Sequence, residues 1–339
     1  MGRHNKLNKG QQRRVKQNMQ KRLAKRDMQD DIAWSGEKLG AMQPALVISR
    51  FGQHADIETA NGDILRCNIR RTVGSLVTGD HVAFRLAPDN EQGMQGVIEA
   101  VEERRSVLTR PDTYDGIKPV AANIDQIFVV SAPLPAFSSQ IIDRYLVACE
   151  DIAIRPVIVL NKADLLDASN RDYIEERLQV YQQIGYQVAI VSAQHAAGLT
   201  QLTDIMADNV SIFVGQSGVG KSSLVNAILP EASIDTGEVS SGSGLGQHTT
   251  TVAKLHRLAN NAALIDSPGI REFGLWHIEV ERVTWGFRDF RPFIGGCKFR
   301  DCKHRNDPGC ALQAAVEAQQ LDAERLANYH RIIDSLEQA

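Results

Sequence analysis

The rhythm of apolar and polar positions changes twice along the chain. Between about residues 41 and 101 it consists of short alternating runs: Ala45–Ser49, Ala55–Thr59, Ile64–Ile69, His81–Leu86 and Gly96–Val101. Turn signals separate them at Phe51-Gly52, Asn61-Gly62-Asp63, Thr78-Gly79-Asp80 and Pro88-Asp89-Asn90. Asn61-Gly62 suits a tight hairpin because both residues tolerate positive φ. Five short strands in roughly sixty residues predict a small closed barrel of the OB type; strand count alone fits an SH3-like barrel nearly as well. Continuous apolar runs then take over, at Ile127-Phe128-Val129-Val130 and Pro156–Leu160, followed by Val188–Val191, Ile212–Val214 and Ala263–Ile265. Strands covered on both faces read this way. Helical stretches lie between them, at Gln140–Asp151 and Asp172–Ile184, so an α/β domain with a mostly parallel sheet is expected. The last block closes with Leu326, Tyr329, Ile333 and Leu336 at helical spacing, a core-facing stripe. The expected division is an arm over 1–38, a β-barrel over 39–105, an α/β domain over 106–273, and a small C-terminal domain with helices over 274–339.

Charge adds the first functional hint. The 339 residues carry a net charge of −3, but the first 26 hold ten Lys/Arg and no acid. With Asp27 and Asp30, the first thirty residues stand at +8. The remaining 28 Lys/Arg against 39 Asp/Glu leave −11 on the rest. The arm is too poor in apolar residues to fold alone, and disorder is expected. Clustered cations of this kind bind nucleic acid by displacing counterions from phosphates, although a solubilising tail has the same composition. Stacking aromatics are scarce in the barrel, with only Phe51 and Phe84. No run of eighteen apolar residues or N-terminal apolar segment is present, so a cytoplasmic protein without a membrane span is expected.

The α/β block carries a nucleotide signature. Gly215-Gln216-Ser217-Gly218-Val219-Gly220-Lys221-Ser222 fits G-x-x-x-x-G-K-[ST], with Ser223 next, between a strand at Ser211–Val214 and a helix at Lys221–Leu229. Glycines let the backbone N–H groups face phosphate oxygens. Lys221 would reach the β- and γ-phosphates, and Ser222 would ligate Mg²⁺. Asp266-Ser267-Pro268-Gly269 reads as D-x-x-G, with Asp266 holding Mg²⁺ through water and the Gly269 N–H sensing the γ-phosphate. Asn161-Lys162-Ala163-Asp164 reads as N-K-x-D, and Ser192-Ala193 would place a backbone N–H on guanine O6. The Asp164 carboxylate can accept from both N1–H and the N2 amino group of guanine, whereas adenine has no such donor pair. GTP is therefore favoured over ATP. The motif order is N-K-x-D, S-A, P-loop, threonines, D-x-x-G, a circular permutation of the ordinary GTPase order. Adjacent domain termini make such a rejoining possible.

Cysteine usage points to a metal. Cys297, Cys302, His304 and Cys310 offer three thiols and one imidazole in fourteen residues, suited to one structural, tetrahedral Zn²⁺. Cys67 and Cys149 read as ordinary buried thiols. Lys298, Arg300, Lys303 and Arg305, with Arg288 and Arg291, form either an RNA-facing patch or the solvated outside of a small domain.

With its permuted motifs, barrel and Cys/His block, the chain resembles the RsgA (YjeQ) family of circularly permuted GTPases of bacterial ribosome assembly, over about residues 40–335. The resemblance implies OB, GTPase and zinc domains that contact the 30S subunit and its 16S rRNA. It also implies slow GTP hydrolysis to GDP that the subunit stimulates, a role in late subunit maturation with release of assembly factors, and a monomer. Between P-loop and D-x-x-G lies a Ser/Gly-rich loop ending in His248-Thr249-Thr250-Thr251. Thr250 is the expected Mg²⁺ ligand, with Thr249 and Thr251 as neighbours. Ile270 stands where many GTPases carry a water-positioning Gln. His248 can orient the water through a neutral imidazole, and the resemblance points to the same residue; a solvated loop histidine is the bland reading. Two other functions share parts of this pattern. A P-loop kinase is disfavoured by N-K-x-D, and a GTP-gated RNA- or protein-binding adaptor with negligible hydrolysis is compatible with Ile270.

Overall fold

The computed structural model describes residues 39–87, 93–112, 116–229, 253–266 and 278–338. The basic arm, the His248–Thr251 segment, and Gly269 with Ile270 lie outside the described residues.

The alternating runs become strands β1 (Met42–Phe51), β2 (His54–Thr59), β3 (Ile64–Ile69), β4 (His81–Leu86) and β5 (Gly96–Val101). Their order is β1-β2-β3-β5-β4, closed by β4 pairing back onto β1. β3 and β5 run parallel and the other pairs antiparallel. This closed order is that of an OB-type barrel and settles the choice against the SH3-like alternative. Alternation is the cause of closure: Ala45, Val47, Ala55, Ile57, Val82, Phe84 and Ile98 all point into one core. A register shift between Val47 and Ser49 bends β1, so one strand serves two neighbours. Phe84 is fully buried in this core and offers no ring to a base. Phe51 is exposed, with the Arg66 guanidinium 5.5 Å from its ring centre. Cys67 is also in the core, and burial pushes its thiol up to about 12. Cys149 is likewise buried.

A hairpin of β6 (Val107–Asp112) and β7 (Gly116–Ala122) leads into the α/β layer, where β8 (Gln126–Ser131), β9 (Arg155–Leu160), β10 (Gln187–Ile190), β11 (Val210–Val214), β12 (Lys254–Arg257) and β13 (Ala263–Asp266) follow. Their order is β10-β9-β8-β11-β13-β12, parallel except for β12 against β13. Helices α1 (Ser139–Asp151), α2 (Arg171–Ile184), α3 (Leu199–Met206) and α4 (Lys221–Ile228) cover its faces. Every residue of β8 is buried, because separate apolar cores lie on the two faces. One contains Ile127, Val129, Ile142 and Leu146; the other contains Phe128, Val130, Leu202 and Leu224. Ser138 starts α1 by accepting from the Ile141 N–H, a cap worth about 1 kcal/mol.

The barrel and the parallel sheet are one hydrogen-bonded surface. Ser49 of β1 pairs with Lys254 of β12, the Thr78 hydroxyl donates to the Ala253 carbonyl at 2.9 Å, and Arg257 pairs with Glu58. The Asn123 amide donates to the Gly79 carbonyl at 2.8 Å.

The C-terminal block holds α5 (Val280–Gly286), a 3-10 turn at Arg288–Phe293, α6 (Ala311–Glu317) and α7 (Ala323–Glu337). Its apolar side chains, among them Val283, Phe287, Phe290, Tyr329 and Ile333, merge with those of α1 and α2 into one core. Leu326 and Tyr329 of the predicted stripe are buried, as is Ile333. A buried ionic network fastens the seam. Arg325 of α7 pairs with Asp143 of α1, and with Asp289 at 2.6 Å. Asp143 also accepts from the Tyr181 hydroxyl and the Asn328 amide, each at 2.7 Å. Arg177 of α2 pairs with Asp322 at 2.9 Å, and Asp322 accepts from the Arg325 N–H to cap α7. Arg291 and Arg288 both reach Glu150 of α1, so these two partly exposed cations are engaged at the seam. Among the described residues, no helix is long and apolar enough to cross a membrane.

Candidate nucleotide and metal sites

In a parallel sheet the carboxyl ends of the strands share one edge, where α/β folds bind ligands. N-K-x-D follows β9, Ser192-Ala193 follow β10, the P-loop follows β11, and Asp266 ends β13. Topology thus gathers motifs that lie as much as a hundred residues apart.

The P-loop needs glycine at two close approaches. Gly215 has φ +141°, and a Cβ there would stand 2.2 Å from the Val130 carbonyl oxygen. Gly220 has φ +92°, and a Cβ would lie 2.4 Å from Asn161 Nδ2. Val219 is buried, anchoring the loop, while Ser217 and Gly218 are exposed at its crest. Lys221 Nζ donates to the carbonyls of Gly215 and Gln216. Ser222 is half-buried at the first turn of α4, and Ser223 is exposed beside it.

Asn161 is buried and ties three motifs together. Its amide donates to the Val219 carbonyl at 2.9 Å and accepts from the Ala193 N–H at 3.2 Å. Lys162 adopts φ +58° and lays its ammonium on the carbonyls of Gly218 (2.6 Å) and Leu134 (3.2 Å). Ala163 and Asp164 begin a 3-10 turn. Ser192 donates its hydroxyl to Asp164 Oδ1. That hydrogen bond, with the nearby His195 and Lys162, holds the Asp164 carboxyl below the usual carboxylate range despite some desolvation. Motif reading alone missed the tying role of Asn161 and the place of His195. Only the position of His195, three residues past Ser192, could have signalled it.

The second site lies between α5 and α7. The ligand atoms of Cys297, Cys302, His304 and Cys310 all lie within 4.8 Å of one another, and could hold a metal ion. His304 presents Nδ1, at 3.5, 3.6 and 3.5 Å from the three sulfurs. Its backbone carbonyl accepts from Gln313 Nε2 at 3.0 Å and meets His330 Nε2 at 2.9 Å, which orients the loop. Burial lowers the His304 pKa, favouring the neutral ring that ligates metals. Burial and the adjoining thiols push Cys302 up to about 12, so a cation is what would let several thiolates share this space. Of the six basic residues considered around this block, Arg305 pairs with Asp334 and Lys298 lies over the Phe299 ring.

A closed OB-type barrel, a permuted P-loop sheet and a Cys/His cluster together define a circularly permuted GTPase fold. The family model for the RsgA GTPase matches residues 101–276. The small ribosomal subunit biogenesis GTPase RsgA of Proteus mirabilis (strain HI4320) is 56% identical over 337 residues, covering 98% of this chain and 96% of that protein. Its counterpart from Shewanella oneidensis is 57% identical over 336 residues, covering 98% and 95%. The crystal structure of YjeQ from Thermotoga maritima superposes with a TM-score of 0.71 at 29% identity, over 88% of this chain and 100% of that one. YloQ, a circularly permuted GTPase, gives 0.68 at 28% identity, over 88% and 96%. The chain belongs to the RsgA GTPase family.

Proposed function

We propose that this protein binds the 30S ribosomal subunit and hydrolyses GTP during late subunit maturation, slowly alone and faster when docked. The observation that carries this reading is the convergence of three motif loops and the strand-end Asp266 on one sheet edge, with the Asp164 carboxylate fixed by Ser192. Family membership and the relatives' role in small-subunit biogenesis support the partner, and the cationic arm suits rRNA. The same reading makes the protein a cytoplasmic monomer. It divides the chain into an arm, a barrel, a GTPase domain and a zinc-binding domain at about 38, 105 and 273.

In this reading water attacks the γ-phosphorus, the bond to the β–γ bridging oxygen breaks, and GDP, phosphate and a proton leave. Lys221 must exchange its two carbonyl partners for phosphate oxygens, and the stem of Lys162 offers an apolar face to the purine. Ser222, Asp266 and Thr250 are hard oxygen donors suited to Mg²⁺, which when bound neutralises charge developing on the phosphates. By their motif positions, the Gly269 N–H would sense the γ-phosphate and His248 would orient the water. The overall reading is tested by turnover measured alone and with 30S, 50S, 70S or naked rRNA. Stimulation by 30S is expected; identical rates in every sample would favour the adaptor role instead.

Asp164→Asn should weaken GTP binding by about 10- to 100-fold, because a donor then faces guanine N1–H. Unchanged affinity in titration calorimetry would remove Asp164 from the base site.

Three sulfurs and one imidazole fit Zn²⁺ with no open position, hence a structural ion. About one equivalent of zinc is expected to copurify. Cys302→Ala should lower zinc affinity by more than the roughly 10- to 100-fold seen when a ligand's hydrogen-bond partner is lost. Metal analysis and thermal melting check this; an unchanged melt in zinc-free protein would overturn the structural role.

A further inference from the structure

His195 turns its ring toward the carboxylate assigned above to guanine. Its backbone N–H donates to Ser192 Oγ at 3.4 Å, and its Nε2 lies 4.0 Å from Asp164 Oδ2. The other oxygen, Oδ1, already accepts from the Ser192 hydroxyl. The His195 side chain is 60% exposed to solvent, while that of Asp164 is 21% exposed. Lys162 is the other charged group acting on this carboxylate, and its ammonium is held by the Gly218 and Leu134 carbonyls.

Recognition of guanine needs both carboxylate oxygens, one for N1–H and one for the N2 amino group. Ser192 leaves this possible, since each carboxylate oxygen can accept more than one hydrogen bond. An imidazolium differs. From 4.0 Å a small side-chain rotation closes it onto Oδ2, where it adds a second donor and a positive charge against the edge that the base must reach. We propose that His195 is a proton-controlled competitor for the guanine site: protonated, it pairs with Asp164 Oδ2 and opposes the base; neutral, it releases that oxygen. This rests on the guanine reading of Asp164. Asp164 stays ionised throughout, so the switch is the histidine alone. Guanine nucleotides should therefore bind less tightly in acid, where imidazolium forms, than in alkali.

The test uses the full chain and GDP, by titration calorimetry at about pH 5.5 and about pH 8, on either side of the histidine range. Wild type, His195→Ala and His195→Gln are compared at constant ionic strength. The terminal phosphate of GDP titrates nearby, but it does so for all three proteins, so the readout is the variant-to-wild-type affinity ratio. That ratio should rise about threefold from the higher to the lower pH, the scale of a partly exposed ion pair. Gln should behave like Ala, since both lack the charge. A ratio that does not change with pH overturns the proposal, as does an equal loss at both pH values. Asp164→Asn with xanthosine diphosphate separates the two levels. If Asp164→Asn prefers that ligand while the His195 ratio stays flat, only the histidine inference fails. If Asp164→Asn binds GDP normally, the guanine reading itself fails.

Discussion

Arg325→Ala is expected to cost about 3–5 kcal/mol of stability, one of the largest single losses in the chain, because it strands a buried carboxylate. Arg325 is 3% exposed and Asp143 is fully buried. Burial pushes the Asp143 carboxyl up, against the pull of Arg325, Tyr181 and Asn328. Burial also opposes the Arg325 charge, but Asp143 and Asp289 more than offset it. The guanidinium lies 4.4 Å from the Phe287 ring centre as well, so truncation removes packing along with charge. Denaturant melts of the variant should show the loss. The double change Arg325→Met with Asp143→Leu should recover much of it, since two apolar side chains carry no unpaired charge. A single-variant loss below about 1 kcal/mol, the scale of an exposed pair, would show that the seam is held by apolar contact alone.

His248→Ala should lower 30S-stimulated turnover by about 100-fold or more, the range of a positioned acid–base or water-orienting group. GTP affinity and association with the subunit should persist, because the change removes no phosphate contact. Single-turnover hydrolysis with saturating 30S distinguishes the outcomes. Full stimulation of the variant would transfer water positioning to a ribosomal group or to another residue of this chain.

Legibility in the sequence followed local physics. The barrel strands stood out because one face is buried, which enforces alternation, and the sheet strands because both faces are buried. The nucleotide loops were legible because phosphate binding fixes glycine spacing. The hairpin β6–β7 was hidden by Pro111 and Pro119, residues that argue against a strand interior. β12 was hidden because only Leu255 of its four residues is buried. The Arg325–Asp143 pair spans 182 residues, and each partner reads in isolation as an ordinary solvated helix position. Arg288 and Arg291 show the same ambiguity: beside the Cys/His run they read as an RNA face or as a solvated exterior, and neither reading names Glu150, which pairs with both. Charge is visible in a sequence, but its partner is not.

The continuity from β1 through β12 into β13 bears on how the molecule can be dissected. A fragment that starts after the barrel would leave β12 as an uncovered edge, with unpaired backbone groups ready to recruit another chain. It would also leave Arg257 without Glu58 and the Ala253 carbonyl without the Thr78 hydroxyl. The barrel thus covers the Lys254 end of the sheet edge next to the D-x-x-G strand. The sound unit for expression, crystallisation or domain exchange therefore begins at β1.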